Sequence, residues 1–305
     1  MLRQVLFFLL IFLFPVSVFA QYSWDFGGGL GATNYLGEMG GKDKPRRNFI
    51  YDMKLKQTRY DFSGFARYKF YPFLLLKGTM SYLRIVGADS LSIYDRRKYR
   101  NLHFRNSIIE LIATAEYQFF KAYDITRKGK IRVDLQFYGF AGIGGVYHNP
   151  KAKSSLTGKW EALQPLGTEG QGVLPDKKKY GRFQPVVPFG IGLFYTIRRN
   201  YRVGLELNYR LTFTDYLDDA STTYPDPAIF TDPVAAELSN RSANTPRPDW
   251  YVKGSLRGND KYNDTYMTLM LNASYVMRGK SNFYRSKYQF LISQRKKKRK
   301  TRAKF

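Results

Sequence analysis

Apolar and polar residues alternate with period two along eight stretches of the chain. The clearest places Ile109, Leu111, Ala113, Ala115, Tyr117 and Phe119 on one face and Glu110, Thr114, Glu116 and Gln118 on the other. Successive side chains of a strand point to opposite sides of the sheet, so such a stretch has one greasy face and one wet face. Closed into a ring with the greasy face outward, eight such strands describe a barrel embedded in a membrane.

The other seven stretches follow the same rule. The first covers about 22–34, with Trp24, Phe26, Leu30 and Ala32 outward and thinned by Gly27, Gly28, Gly29 and Gly31. The second, about 60–70, turns Tyr60, Phe62, Ala66, Tyr68 and Phe70 to lipid and Asp61, Ser63, Arg67 and Lys69 inward. The third, about 74–86, sets Leu74, Leu76, Met80 and Tyr82 against Lys77, Thr79 and Ser81. The fifth, 131–147, shows Val133, Leu135, Phe137, Ala141, Ile143 and Tyr147 against Asp134, Gln136, Gly142 and Gly144. The sixth, about 185–197, carries Val187, Phe189, Ile191, Leu193, Tyr195 and Ile197. The seventh, 201–214, sets Val203, Leu205, Leu207, Tyr209, Leu211 and Phe213 against Arg202, Glu206, Asn208 and Arg210. The eighth, about 266–277, shows Met267, Leu269, Leu271, Ala273, Tyr275 and Met277.

The links alternate in length. Short ones follow the second, fourth and sixth strands, around Pro72, Asp124 and Arg199-Asn200; long ones cover roughly 35–59, 87–101, 148–184 and 215–265. Bacterial outer-membrane barrels have short periplasmic turns and long extracellular loops. Trp24, Tyr68, Phe70, Phe73, Tyr117, Phe119, Tyr195 and Tyr275 gather near the inferred periplasmic rim as an aromatic girdle. A soluble lipocalin-like barrel would carry an apolar interior. Here the inner face holds Arg67, Lys69, Lys77, Glu110, Glu116, Asp134, Glu206 and Arg210. The expected fold is therefore all-β: an eight-stranded antiparallel transmembrane barrel of the OmpA/OmpX-like outer-membrane type, over residues 21–278, with long extracellular loops and a basic C-terminal tail over 279–305.

Composition sharpens this in three ways. Met1-Leu2-Arg3, an apolar run from Val5 to Phe14 and then Val18-Phe19-Ala20 read as a signal peptide over 1–20 cleaved after Ala20. Position 21 is Gln, so a lipoprotein anchor is excluded, and no other run reaches the roughly 18–20 apolar residues of a spanning helix. The chain has no Cys, which excludes thiolate chemistry and disulfides. Its net charge of +26 is concentrated at the end, where Arg295, Lys296, Lys297, Lys298, Arg299, Lys300, Arg302 and Lys304 crowd together and no acid follows Arg278. Export removes the nucleic-acid reading of such a run. In the periplasm it would meet an acidic protein, anionic headgroups or wall-linked components, or serve as a solubilising end.

An eight-stranded barrel has a lumen just filled by its own side chains. Inward charges of both signs would pair, which makes a plugged polar core and not a pore. Chemistry has few candidates. His103 and His148 lie near the extracellular strand ends, and Ser107 shares the face of His103; no Ser/His/acid pattern emerges. Asp215, Asp218 and Asp219 either cap a strand-to-loop turn or hold calcium; the spacing matches no known loop motif, which favours the cap. No cofactor or resident metal is expected.

Several segments carry a family resemblance. They are Leu30-Gly31-Ala32-Thr33-Asn34-Tyr35-Leu36-Gly37, Phe104-Arg105-Asn106-Ser107-Ile108-Ile109-Glu110, Leu163-Gln164-Pro165-Leu166-Gly167-Thr168-Glu169-Gly170-Gln171-Gly172, and Tyr209-Arg210-Leu211-Thr212-Phe213-Thr214-Asp215-Tyr216-Leu217-Asp218-Asp219. Arg257-Gly258-Asn259 and Asn263-Asp264-Thr265-Tyr266 complete the set. Together they resemble the PorG family, outer-membrane barrel components of the type IX secretion system of Bacteroidetes. The resemblance implies a non-enzymatic role: joining the outer membrane to a periplasmic ring of the PorK and PorN type, and supporting gliding motility in species that glide. The 164–172 segment would face outside, where ring anchoring gives it no use. The alternative is a surface adhesion or ligand-binding barrel acting through its loops; an outer-membrane enzyme is the third and weakest reading.

Overall fold

The computed structural model describes residues 23–39, 54–125, 131–197 and 200–278. The segment 1–20 expected to be a signal peptide, with Ala20, and the basic residues Arg295, Lys296, Lys297, Lys298, Arg299, Lys300, Arg302 and Lys304 of the expected tail lie outside the described residues.

The described residues form nine strands: β1 (Ser23–Leu36), β2 (Arg59–Lys69), β3 (Leu74–Ala88), β4 (His103–Ile125), β5 (Ile131–Lys153), β6 (Trp160–Ala162), β7 (Phe183–Ile197), β8 (Tyr201–Thr212) and β9 (Thr265–Arg278). The short β6 lies on the extension of β5, pairing Lys151 with Ala162. The other eight make a closed antiparallel ring in the order β1-β2-β3-β4-β5-β7-β8-β9, sealed where β9 returns to β1 with Leu30 opposite Leu271. Among the described residues three short α-helices, α1 (Asp95–Arg100), α2 (Leu163–Leu166) and α3 (Pro233–Ser239), stand in the long connections.

Two strands outrun their sequence pattern. β5 continues to Lys153, six residues past the expected end at Tyr147, because β4 offers a long partner: Arg105 lies opposite Lys151 and Asn106 opposite Pro150. His148, Asn149 and Pro150 read as loop in sequence, yet the Asn106 side chain accepts from the Asn149 N–H at 2.9 Å and helps hold the extension. Likewise Asp124 lies inside β4, paired with Arg132, and not in a link. Register shifts between Gln118 and Phe120 and between Ala122 and Tyr123 bend this wall at the short-turn end. β8 stops at Thr212, two residues early, where the Thr212 hydroxyl donates to the Asp264 carbonyl at 2.6 Å.

The outer wall is apolar at mid-height. Leu30, Met80, Leu111, Ile143, Ile191 and Leu271 project from it, with Leu111 67% exposed. A continuous exposed belt of this kind is unstable in water and is the surface a bilayer covers. Trp24, Tyr68, Phe70, Tyr71, Phe73 and Tyr117 make a chain of ring contacts at the short-turn end, Trp24 lying 4.9 Å from Tyr68 and Phe73 5.9 Å from Tyr117. A second aromatic set, Tyr60 with Phe62 and Tyr82, and Phe189 with Tyr209, ranges the opposite border. Both borders of the belt are thus marked, where the sequence pattern singled out one. No helix among the described residues is long and apolar enough to cross a membrane.

The inner face is layered, not uniformly ionised. Ion pairs fill its lower and middle parts. Above them Leu83, Ile85, Ile108, Ile112, Val146 and Val186 form an apolar layer with Tyr35, Phe104, Leu217, Ala220 and Tyr266. The period-two parity of their strands puts these residues on the inner face, but the sequence reading of a polar lumen counts only its charged positions. Loop residues Leu217 and Ala220 descend onto this layer and close it.

Candidate functional site

The lumen is held by a network of three cations and three anions at its lower end. Asp25 lies between Arg67, at 2.9 Å, and Arg202, at 2.7 Å. Arg67 reaches Glu116 at 2.7 Å, and Lys77 reaches Glu206 at 2.6 Å, where the Tyr138 hydroxyl also donates at 2.9 Å. Phe65 and Phe194 wedge between these groups; Arg67 lies 5.1 Å and 5.4 Å from their centroids and Arg202 4.4 Å from Phe194. Glycine makes the room: a Cβ on Gly192 would stand 2.4 Å from the Tyr138 ring. One layer higher, Arg210 grips Glu110 through two nitrogens at 2.6 and 3.2 Å, and Tyr266 donates to the same carboxylate at 2.8 Å. Asp61 is buried beside this pair.

Of the lumen charges expected from sequence, Arg67, Lys77, Glu110, Glu116, Glu206 and Arg210 come together in this way. Lys69 is half-buried at the lower end of β2, and the Asp134 side chain lies outside the described residues. Asp25 was not singled out by the pattern; it sits at an inward position of the glycine-rich first strand, and that parity is the signal that finds it.

The long-loop end is equally well tied. Arg257 is 2% exposed and joins three segments. It meets Glu169 at 3.1 Å, donates to the Ser239 carbonyl at 3.1 Å and also donates to the Asp219 carbonyl. Glu169 accepts from the Ser221 N–H at 2.8 Å and the Thr222 hydroxyl at 2.7 Å. Burial opposes the charge on Arg257, but Glu169 and Asp219 outweigh it and hold the guanidinium above its ordinary pKa. Arg100 pairs with Asp89 at 2.7 and 2.9 Å and donates to the Arg257 carbonyl at 2.5 Å, which adds the α1 loop. The segment 164–172 thus acts as a clamp between loops. Its Gly167, Gly170 and Gly172 all have positive φ, at 62°, 84° and 77°, which brings Glu169 inward. Neither Glu169 nor Arg257 is legible in sequence as a partner of the other, because 88 residues separate them.

The three aspartates after β8 part ways. Asp219 accepts from Thr168 and, at 2.7 Å, from the Tyr180 hydroxyl. Asp218 accepts from the Ala220 N–H at 2.9 Å, the local cap of a turn, and from Tyr35 at 2.8 Å. Asp215 is buried; burial and then the charges of Asp264, Asp218 and Glu38 push its carboxyl up to about 11. Among the described residues no three His, Cys, Asp or Glu side chains are arranged to hold a metal ion. The two histidines do not meet. His103 accepts from the Lys153 N–H at 3.0 Å on the outer face, whereas His148 is buried, 3.3 Å from the Gly181 carbonyl and stacked on Tyr180. Ser107 faces Arg84 at 3.3 Å, not His103.

This is a closed outer-membrane-type β-barrel with a packed lumen and an ordered loop cap. No family model matches the chain. No curated protein matches it either. Similar solved structures include Ail, the attachment invasion locus protein of Yersinia pestis, at 10% identity, covering 84% of this chain and 97% of that one with a TM-score of 0.35. The outer membrane protein OprG of Pseudomonas aeruginosa is similar at 8% identity, over 84% and 96%, with a TM-score of 0.39. Neisserial surface protein A is similar at 8% identity, over 84% and 97%, with a TM-score of 0.37. The barrel stands on its own strand register and does not lean on these distant likenesses.

Proposed function

We propose that this chain is a non-enzymatic outer-membrane component of a type IX secretion machinery, docking a periplasmic ring of the PorK and PorN type to the membrane. The observation that carries this reading is the sealed lumen: with a network of three cations and three anions below, an apolar layer above and loops closing the top, the barrel offers no conduit, so its action belongs to its two ends. In this reading both termini and the short turns face the periplasm, and the basic tail with the short-turn rim meets the ring. The test is a pull-down of the full chain from detergent-solubilised envelopes after crosslinking. The expected result is a ring lipoprotein that co-purifies and is lost, with secretion, on deleting 295–305. Unchanged association and secretion would remove the tail from the interface, and a lone barrel in the pull-down would overturn the docking reading.

A second reading is a surface barrel that binds ligands through its loops. It is favoured by the Glu169–Arg257 clamp, which organises four segments into one rigid face at the long-loop end. Loop replacement that spares secretion but abolishes surface binding would select it.

A further inference from the structure

The long-loop end carries an exposed cleft that the ring-docking reading does not use. It is a shallow, open cleft of about 350 Å³ lined by Ile93, Tyr94, Asp95, Arg96 and Trp250. Two loops build it: the segment entering α1 and the turn Pro248–Trp250. They are locked together from below, by Tyr251 donating to the Arg96 carbonyl and by Arg100 donating to the Arg257 carbonyl at 2.5 Å. The buried Tyr251 and Arg100 thus anchor the base of the cleft, whose lining side chains are exposed.

Its chemistry has three parts. Arg96 and Arg247 both lie over the Trp250 ring, at 5.8 and 5.6 Å from its centroid, with Tyr99 at 5.9 Å beside it. A guanidinium stacked on an aromatic face keeps its in-plane N–H fork free for an anion. Neither arginine has an ion-pair partner among the described residues. Ile93 and Tyr94, 73% and 46% exposed among the described residues, give the lining an apolar side. Asp95 in the same lining is an acceptor only, suited to hydroxyl donors.

We propose that this cleft binds an anionic saccharide. The apolar side takes the C–H face of the sugar ring, Asp95 accepts its hydroxyls, and Arg96 in the lining, with Arg247 at the Trp250 rim, meets a phosphate or carboxylate substituent. Asp95 disfavours a bare polyphosphate or nucleic acid, whose every unit would meet its charge, while a polyhydroxylated ring satisfies it. The volume lies at the small end of ligand sites, enough for a short saccharide. The inference does not rest on the ring-docking reading.

The test uses the full chain in nanodiscs and a phosphorylated core oligosaccharide released from lipopolysaccharide. The expected result is saturable binding, at least tenfold weaker for the same oligosaccharide after dephosphorylation. Trp250→Ala and the double variant Arg96→Gln/Arg247→Gln should each weaken it at least tenfold while the barrel keeps its heat-modifiable gel shift. Absence of saturable binding, equal binding of the dephosphorylated form, or undiminished binding by both variants would overturn the proposal. A parallel arm with intact lipopolysaccharide in vesicles assigns the source: tighter binding there supports a lipid-linked saccharide, and equal binding supports a free one.

Discussion

At the residue scale the loop cap is governed by buried charge. Asp215 is 6% exposed and sits among Asp264, Asp218 and Glu38, which together with burial raise its carboxyl to about 11. Asp218 is raised well above the ordinary range by burial, Asp264 and Glu38. A carboxyl whose folded pKa exceeds its unfolded value stabilises the fold fully below the unfolded pKa and loses that contribution as pH rises toward the folded one. The loop cap should therefore weaken with rising pH across the window from about 4 to about 11, with a slope of at most ~1.4 kcal/mol per pH unit for each such proton. Asp215→Asn keeps the shape and removes the titration. Limited proteolysis between pH 6 and 9 should show wild-type loops becoming more susceptible and the variant changing less. Identical profiles would mean that Asp215 is not among the groups setting the pH response.

At the scale of elements, strand identity and facing were legible because a membrane wall enforces a strict period of two. The parity of Ile109 to Phe119 or of Val203 to Leu211 leaves no second solution, since a one-residue slip would place charge in lipid. Strand ends were less legible: Asn149, Pro150 and Lys151 look like loop and become strand only because β4 supplies a partner. The loop clamp was illegible for a different reason. Glu169 and Arg257 meet through three-dimensional closure, and no local pattern encodes a pair so far apart. Lipid facing makes a quantitative distinction between equally exposed leucines. Leu111→Arg, on the belt, should cost about 2–4 kcal/mol in folding free energy measured by denaturant titration in bilayers. Leu156→Arg, 62% exposed in the loop after β5, should stay within about 0.5 kcal/mol. Equal effects would mean the belt does not face lipid.

At the scale of the molecule, the barrel is a plug. Arg67, Lys77 and Arg202 stand against Asp25, Glu116 and Glu206, so the lower lumen carries matched charge and the aromatic rings of Phe65 and Phe194 fill what remains. Reconstituted into planar bilayers, the full chain should show no steady ion conductance above baseline. Persistent single-channel steps would contradict a closed lumen and return transport to consideration.

The ring closes between its first and last strands: Ser23 pairs with Arg278 and Leu36 with Thr265. The seam can form only once β9 has followed all the other barrel strands in the chain. Until then β1 and β9 each present an open edge, and the belt of Leu30, Met80 and Leu271 has no solvent that suits it. Until the seam forms, the apolar belt and both strand edges stay open to unwanted pairing. Closure is therefore a late, long-range pairing, slow by the length of chain it spans.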